Sequence, residues 1–225
     1  DMLLVGYTSA SAFPQCFQIS DNKKDLEKKR LQKMYVDYAE KYVHLLNPRY
    51  FLPFAGRYVL SGKLSNLNSN KGAYELEEAF EYFTNISEIN SLKNKCIILN
   101  SQEYFDISKE ISSKKYTPIK PEEKNNYIDQ VLSKKKLDYE DEEFPTYQEI
   151  ISKIPKAYEH FEEKRKELQF SSETKIIIHI SDSENILLPC DGGGFKIISS
   201  QESEKIKNFV KLELDLRLLK WILDG

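Results

Sequence analysis

The order of apolar segments at the start of the chain is the feature that most constrains its fold. A continuous apolar run at residues 2–5 is typical of a strand that is buried on both faces. From residue 21 onward, apolar residues recur every three or four positions, which predicts one long amphipathic helix. Ser20 or Asp21 can cap its start, and Pro48 ends it. The predicted apolar stripe consists of Leu31, Met34, Tyr35, Tyr38, Ala39, Tyr42, Val43 and Leu46.

A second short apolar segment, residues 50–53, follows this helix. Strand, long helix and strand in succession form a βαβ unit, so we expect the two strands to pair in parallel. A helix at 74–83 and a strand at 96–99 repeat the pattern. Residues 1–108 are therefore predicted to form one α/β region.

The remaining residues change character twice. Residues 109–170 hold runs of Lys, Asp and Glu, which predicts a charged linker, and they end in a helix at 146–168. Residues 171–225 are predicted to form a small β-rich α+β region, with strands at 175–180, 186–190, 195–198 and 209–214. Gly192, Gly193 and Gly194 permit the positive φ angles of a hairpin turn between two of these strands. Asp215 can cap a final helix at 216–223.

The composition argues against several classes of protein. The 225 residues include 33 Lys and Arg against 36 Asp and Glu, and this balance argues against a general nucleic-acid binder. No apolar stretch approaches the roughly 20 residues that a membrane-spanning helix needs. Cys16, Cys96 and Cys190 are odd in number and widely spaced, which favours a reduced, cytoplasmic protein over a disulfide framework.

Catalytic and metal-binding motifs are hard to find in this sequence. His44, His160 and His179 lie on separate predicted elements, so no metal centre is predicted within the chain. No G-x-S-x-G motif marks a nucleophilic serine. A Cys16–His44 pair stays open as a nucleophile and its base, against the alternative that Cys16 is a buried apolar residue. No catalytic residue can be assigned.

One loop is more informative. The strand at 50–53 continues into Pro-Phe-Ala-Gly and then presents Arg57 and Lys63. Open α/β sheets bind ligands at the carboxyl ends of their parallel strands, which is where this loop is expected to lie. Arg57 and Lys63 would suit a phosphate or carboxylate on a small-molecule substrate. The alternative is that both are solvated loop cations.

Two segments, DMLLVGYTSASAFPQCF at residues 1–17 and NPRYFLPFAGRYVLSGK at residues 47–63, resemble the second half of a metallo-β-lactamase-fold hydrolase. The branch they resemble most contains cytidine-monophosphate-N-acetylneuraminate hydroxylase. The resemblance implies half of an αββα sandwich, with Gln15, Arg57, Lys63 and Tyr7 facing a sugar nucleotide or another phosphorylated small molecule. It also implies a zinc or iron centre in the parent protein.

The resemblance also implies that this chain lacks the metal. The family's HxHxDH motif lies in the first half of the fold, which is absent here, and Ala55 stands where many relatives have a histidine ligand. The chain starts in an apolar strand and stops at a helix end, so we expect a piece of a longer protein that is inactive by itself. Its partner would be a second copy or the missing N-terminal half.

The C-terminal region resembles a sterol-carrier-type domain in its order of strands, triple glycine and final helix. This resemblance implies a binding groove or a dimer contact, whereas the alternative is a small α+β tail without a ligand. Two further functions therefore stand beside the hydrolase: a non-catalytic interaction or oligomerisation module, and a domain that binds a hydrophobic ligand.

Overall fold

The computed structural model describes residues 1–55, 58–86 and 96–225. It is a mixed α/β structure with two compact units, Asp1–Lys136 and Leu137–Gly225. The predicted three-part division therefore differs from the observed one. Residues 109–136 belong to the N-terminal unit and residues 137–170 to the C-terminal unit, because this charged segment contributes buried side chains, such as Ile128 and Ile150, to both.

The N-terminal unit begins with the predicted βαβ arrangement. Strand β1 (Met2–Gly6) pairs in parallel with β2 (Tyr50–Phe54), and helix α1 (Asp21–Leu46) connects them. Leu3 lies opposite Phe51, and Val5 lies opposite Pro53. The core of the unit contains buried residues from both strands and two helices, among them Val5, Val36, Val43, Phe51, Ala79 and Phe83.

The burial of β1 differs from the prediction. Val5 is buried, but the side chain of Leu4 on the opposite face is 60% exposed. The two-stranded sheet therefore has one buried face, which carries Val5 and Phe51. Helix α1 and the helix at Leu76–Glu81 pack on this face. An uninterrupted apolar run was not sufficient to predict burial on both faces.

Helix α1 has the predicted bounds but a narrower buried stripe. Its fully covered positions include Val36, Ala39 and Val43, whereas Tyr38 and Tyr42 are exposed. The side chain of Ser20, one of the two residues predicted to cap the helix, makes no capping hydrogen bond. The helix ends because Asn47 adopts a left-handed conformation and donates its backbone N–H to the carbonyl of Val43 at 2.9 Å.

The rest of this unit is built from short elements. The predicted helix at 74–83 is the shorter α2 (Leu76–Glu81), followed by one π-helical turn, Tyr82–Ile86. The predicted strand at 96–99 is reduced to a single parallel bridge between Phe51 and Cys96. The other elements among the described residues are a 3₁₀ helix (Gly62–Asn70), the hairpin of β3 (Phe105–Asp106) and β4 (Ile111–Ser112), helix α3 (Pro121–Gln130) and a 3₁₀ turn (Leu132–Lys134).

The C-terminal unit is a four-stranded sheet with two helices on one face. Its elements are a 3₁₀ turn (Asp138–Asp141), α4 (Tyr147–Glu167), β5 (Lys175–His179), β6 (Glu184–Pro189), β7 (Lys196–Ser199), α5 (Ser200–Ser203), β8 (Phe209–Leu212) and α6 (Leu216–Asp224). The strand order is β7-β6-β5-β8, with β8 parallel to β5 and the other pairs antiparallel. The buried core joins Ile150 and Ile154 of α4 to Ile178, Ile186 and Leu219.

Local signals in this region predicted the structure well. The glycine-rich turn joins β6 to β7, and Gly192 and Gly194 have φ angles of 92° and 81°, which favour glycine. Asp215 caps α6 by accepting a hydrogen bond from the backbone N–H of Arg217.

Among the described residues, no helix is long and apolar enough to cross a membrane.

Candidate anion-binding site

A cavity of about 530 Å³ lies within the N-terminal unit. Three parts of the chain form this cavity. They are the segment after β2, the start of α2 with the turn before it, and the start of α3 with the segment before it. Val59, Pro118, Ile119 and Pro121 supply apolar walls. Tyr58, Lys71, Glu75 and Lys124 supply the polar groups that the following paragraphs describe.

Two lysines converge on one carboxylate in this cavity. Glu75 Oε1 accepts a hydrogen bond from Lys71 Nζ at 2.9 Å and another from Lys124 Nζ at 2.7 Å. Lys71 lies four residues before Glu75 and is only 7% exposed, whereas Lys124 reaches the same oxygen from α3. The contact therefore ties the turn before α2 to helix α3.

The ionisation of Glu75 follows from these contacts. Burial by itself would raise the pKa of Glu75, but the hydrogen bonds and positive charges of Lys124 and Lys71 outweigh it, so the pKa lies below its ordinary value. The carboxylate is charged at neutral pH. The cluster of Lys71, Glu75 and Lys124 therefore holds two ammonium groups and one carboxylate, and Glu77 and Glu78 add two further carboxylates to the cavity lining.

Tyr58 connects this cluster to a buried amide. The Nζ of Lys71 lies 5.5 Å from the centre of the Tyr58 ring, within the range of a cation–π contact. The Tyr58 hydroxyl donates a hydrogen bond to Gln15 Oε1 at 2.9 Å, and Gln15 Nε2 donates to the carbonyl of Leu67 at 3.1 Å. Burial, followed by the electrostatic interaction with Cys16, raises the pKa of Tyr58, so the hydroxyl keeps its proton.

The other two acids around the cavity have structural contacts. Glu78 Oε2 accepts the backbone N–H of Glu75 at 2.8 Å at the start of α2. Glu77 Oε1 accepts the Tyr116 hydroxyl at 2.6 Å and the backbone N–H of Ile119 at 3.3 Å. Glu77 therefore holds the apolar wall that contains Ile119 against α2.

The four residues predicted from sequence to bind substrate have different surroundings. Gln15 is 1% exposed and orients Tyr58 at the cavity rather than lining it. Tyr7 is also 1% exposed and belongs to the apolar core, so it presents no surface to a ligand. Lys63 is an exposed residue of the 3₁₀ helix, outside the cavity lining, and Arg57 lies outside the described residues.

The sequence did not reveal Lys71, Glu75 and Lys124 as a group. Lys71 and Glu75 have the four-residue spacing of a helical ion pair, but they stand in a turn and at a helix start. Lys124 falls in the segment that was interpreted as a charged linker. Only the packing of α3 within this unit brings the three together, so no local pattern identifies them.

The zinc or iron centre implied for the parent protein has no ligand set in the part of this chain that the structure describes. These residues include no group of three His, Cys, Asp or Glu side chains that could hold a metal ion. Ala55, at the position matched to a family ligand, is an exposed residue with a φ angle of 65°.

Comparisons of the chain with protein-family models, with curated proteins and with solved structures found no match.

Proposed function

We propose that the N-terminal unit binds a small organic anion that carries an apolar or aromatic body. The observation that supports this function is the arrangement of Lys71, Glu75 and Lys124 in a cavity with apolar walls. A volume of about 530 Å³ falls in the range of small-molecule sites, which are mostly apolar and contain a few fixed polar groups.

The donors of the two lysines favour an anionic group over a neutral one. Each ammonium group carries three hydrogens, and one hydrogen of each is used in the bond to Glu75. A phosphate or carboxylate could accept hydrogen bonds from both lysines. The apolar body would then contact Val59 and Ile119, and removal of this surface from water would add to the affinity.

Calorimetric titration with three probes tests this function. Phenyl phosphate contains both the anion and an apolar ring, inorganic phosphate contains only the anion, and benzyl alcohol contains only the ring. We expect phenyl phosphate to bind more tightly than either of the others, because only it contacts both parts of the cavity. Equal affinity for benzyl alcohol and phenyl phosphate would contradict a role for the lysines.

A lysine variant provides the matched comparison. Lys124→Met keeps an unbranched side chain but removes the charge, and we expect phenyl phosphate to bind about 10- to 100-fold more weakly, as for the loss of one charge-assisted hydrogen bond. Lys63→Met removes an exposed lysine outside the cavity lining, and its affinity should equal that of the unmodified chain. The proposal fails if the two variants behave alike.

A second proposal is that the chain is part of a metallo-β-lactamase-fold hydrolase. The parallel β1–α1–β2 arrangement favours it, since Tyr58 and Val59 enter the cavity just after the carboxyl end of β2. On this proposal the chain contributes substrate contacts and another part of the parent protein holds zinc or iron. Metal analysis of the purified chain tests whether the metal is held elsewhere in the parent protein. Stoichiometric zinc or iron in this chain would contradict that part of the proposal.

A further inference from the structure

The cavity of the N-terminal unit is lined by more carboxylates than ammonium groups. Among the described residues that line it, Lys71 and Lys124 are the cations, and Glu75, Glu77 and Glu78 are the acids. By formal charge, this lining has an excess of one negative charge. A ligand that carries only an anion would enlarge the excess, whereas a ligand that also carries an ammonium group would not.

The three acids differ in the bonds that they already make. Glu75 accepts hydrogen bonds from both lysines at 2.9 and 2.7 Å, and Glu77 accepts the Tyr116 hydroxyl at 2.6 Å. Glu78 uses Oε2 to accept the backbone N–H of Glu75 at 2.8 Å. A carboxylate can accept about four hydrogen bonds, so Glu78 can accept a bond from a ligand's ammonium and keep this contact.

Glu78 lies close to the two lysines. Its Oε2 is 2.8 Å from the backbone nitrogen of Glu75, and the side chain of Glu75 reaches Lys124 at 2.7 Å. No more than one side chain therefore separates the carboxylate of Glu78 from an ammonium group. Glu78 is exposed and Lys71 is buried, so the negative group lies nearer to solvent than the positive one. A ligand that meets both needs an anion and a cation only a few atoms apart.

We propose that the ligand of this cavity is a zwitterion of the α-amino acid class with an apolar side chain, an inference that rests on the proposed anion-binding function. Its carboxylate would accept hydrogen bonds from Lys71 and Lys124, and its ammonium group would donate to Glu78. Its side chain would contact the apolar walls of the cavity. Such a ligand adds no net charge to a lining that is already negative by formal charge.

Three probes that share one phenylethyl body test the two charges separately by calorimetric titration. Phenylalanine carries both groups, 3-phenylpropionate only the carboxylate, and phenethylamine only the ammonium. We expect phenylalanine to bind at least about fivefold more tightly than either of the others, the upper value for one exposed ion pair.

The possible results separate this inference from the function beneath it. If 3-phenylpropionate binds as tightly as phenylalanine, the zwitterion is overturned and the anion site stands. If phenethylamine binds as tightly as phenylalanine, the lysines contribute nothing and both proposals are contradicted. Undetectable binding of phenylalanine overturns the zwitterion, and the result with phenyl phosphate then decides the fate of the anion site.

Glu78→Gln tests the residue assigned to the ammonium group. The amide keeps an oxygen that can accept the backbone N–H of Glu75, but it removes the negative charge. We expect phenylalanine to bind about fivefold more weakly to this variant and 3-phenylpropionate to bind no more weakly. Circular dichroism would check that the variant is folded.

Glu81→Gln is the matched control, because Glu81 is an exposed acid of α2 outside the cavity lining. It should leave the affinities for both probes unchanged. The assignment of Glu78 is overturned if Glu78→Gln weakens both probes equally, if it leaves the affinity for phenylalanine unchanged, or if Glu81→Gln has the same effect.

Discussion

Lys71 is the residue whose burial most needs a physical explanation. An unpaired ammonium that is 7% exposed would cost several kcal/mol of stability, because it loses its hydration. The hydrogen bond to Glu75 offsets part of this cost, and the Tyr58 ring adds a cation–π contact. Glu75 is therefore both a structural partner of Lys71 and a competitor for any anion that binds there.

This double role gives a prediction for Glu75→Gln. We expect tighter binding of phenyl phosphate, since the variant removes the negative charge between the two lysines. We also expect a lower free energy of unfolding at pH 7, because the buried Lys71 loses its counter-charge. Calorimetric titration and urea unfolding would measure the two effects. Weaker binding together with unchanged stability would contradict the described role of Glu75.

The same residue predicts a pH dependence of stability. In the folded chain the pKa of Glu75 lies below its ordinary value of 4.5: burial raises it, but the bonds from Lys124 and Lys71 lower it more. The group therefore stabilises the fold above its unfolded pKa, and this contribution is lost as the pH falls through the folded pKa. Urea unfolding at a series of pH values from neutral to acidic tests this. We expect the free energy of unfolding to fall less with decreasing pH in Glu75→Gln than in the unmodified chain. Glu122→Gln, an exposed carboxylate change on α3, is the matched control.

Helix caps show where a sequence signal is sufficient and where it is not. Thr146 and Ser20 both precede long helices, and both are residue types that commonly cap them. Thr146 accepts a hydrogen bond from the backbone N–H of Glu149, and Glu149 accepts the Thr146 backbone N–H in return. Ser20 makes no such bond. Residue type alone therefore does not predict the energy of a cap.

This contrast gives a matched pair of stability predictions. Thr146→Ala should lower the free energy of unfolding by about 1 kcal/mol, the usual value for the loss of an N-cap side chain. Ser20→Ala should change it by only a few tenths of that amount, since no capping bond is lost. Urea denaturation followed by circular dichroism would compare them. Equal losses would show that the two caps do not differ as described.

The elements that the sequence predicted well are those with a local cause. The period of α1 and the glycine turn before β7 follow from residues near each other in the chain. The parallel order of β1 and β2 follows from the single helix that connects them. The exposed Leu4 and the single bridge at Cys96 were not predicted, because they depend on what packs against each strand. The candidate site was missed for the same reason: Lys124 meets Glu75 through tertiary packing.

The molecule as a whole consists of two units, each with its own buried core. The core of the second unit, which includes Ile150, Ile154, Ile178, Ile186 and Leu219, is formed entirely by residues after Lys136. A cluster of this kind, shared by two helices and a four-stranded sheet, has the ingredients of independent stability. The boundary after Lys136 falls inside the segment 109–170, which was predicted to be a charged linker. The charged composition did not show its position within that segment, because surface charge does not determine which core the neighbouring residues join.

We therefore expect residues 137–225 to fold when expressed alone. The expected result is a dispersed amide NMR spectrum and one cooperative thermal transition, because the core cluster is retained in full. Ile186→Ala in this shorter chain should lower stability by about 2–5 kcal/mol, as for other fully buried large-to-small changes, whereas Ile197→Ala on the exposed β7 should cost much less. A collapsed spectrum for the unmodified segment would mean that the second core needs residues from the first unit. If both variants lowered the free energy of unfolding equally, the cluster around Ile186 would not be the main source of stability.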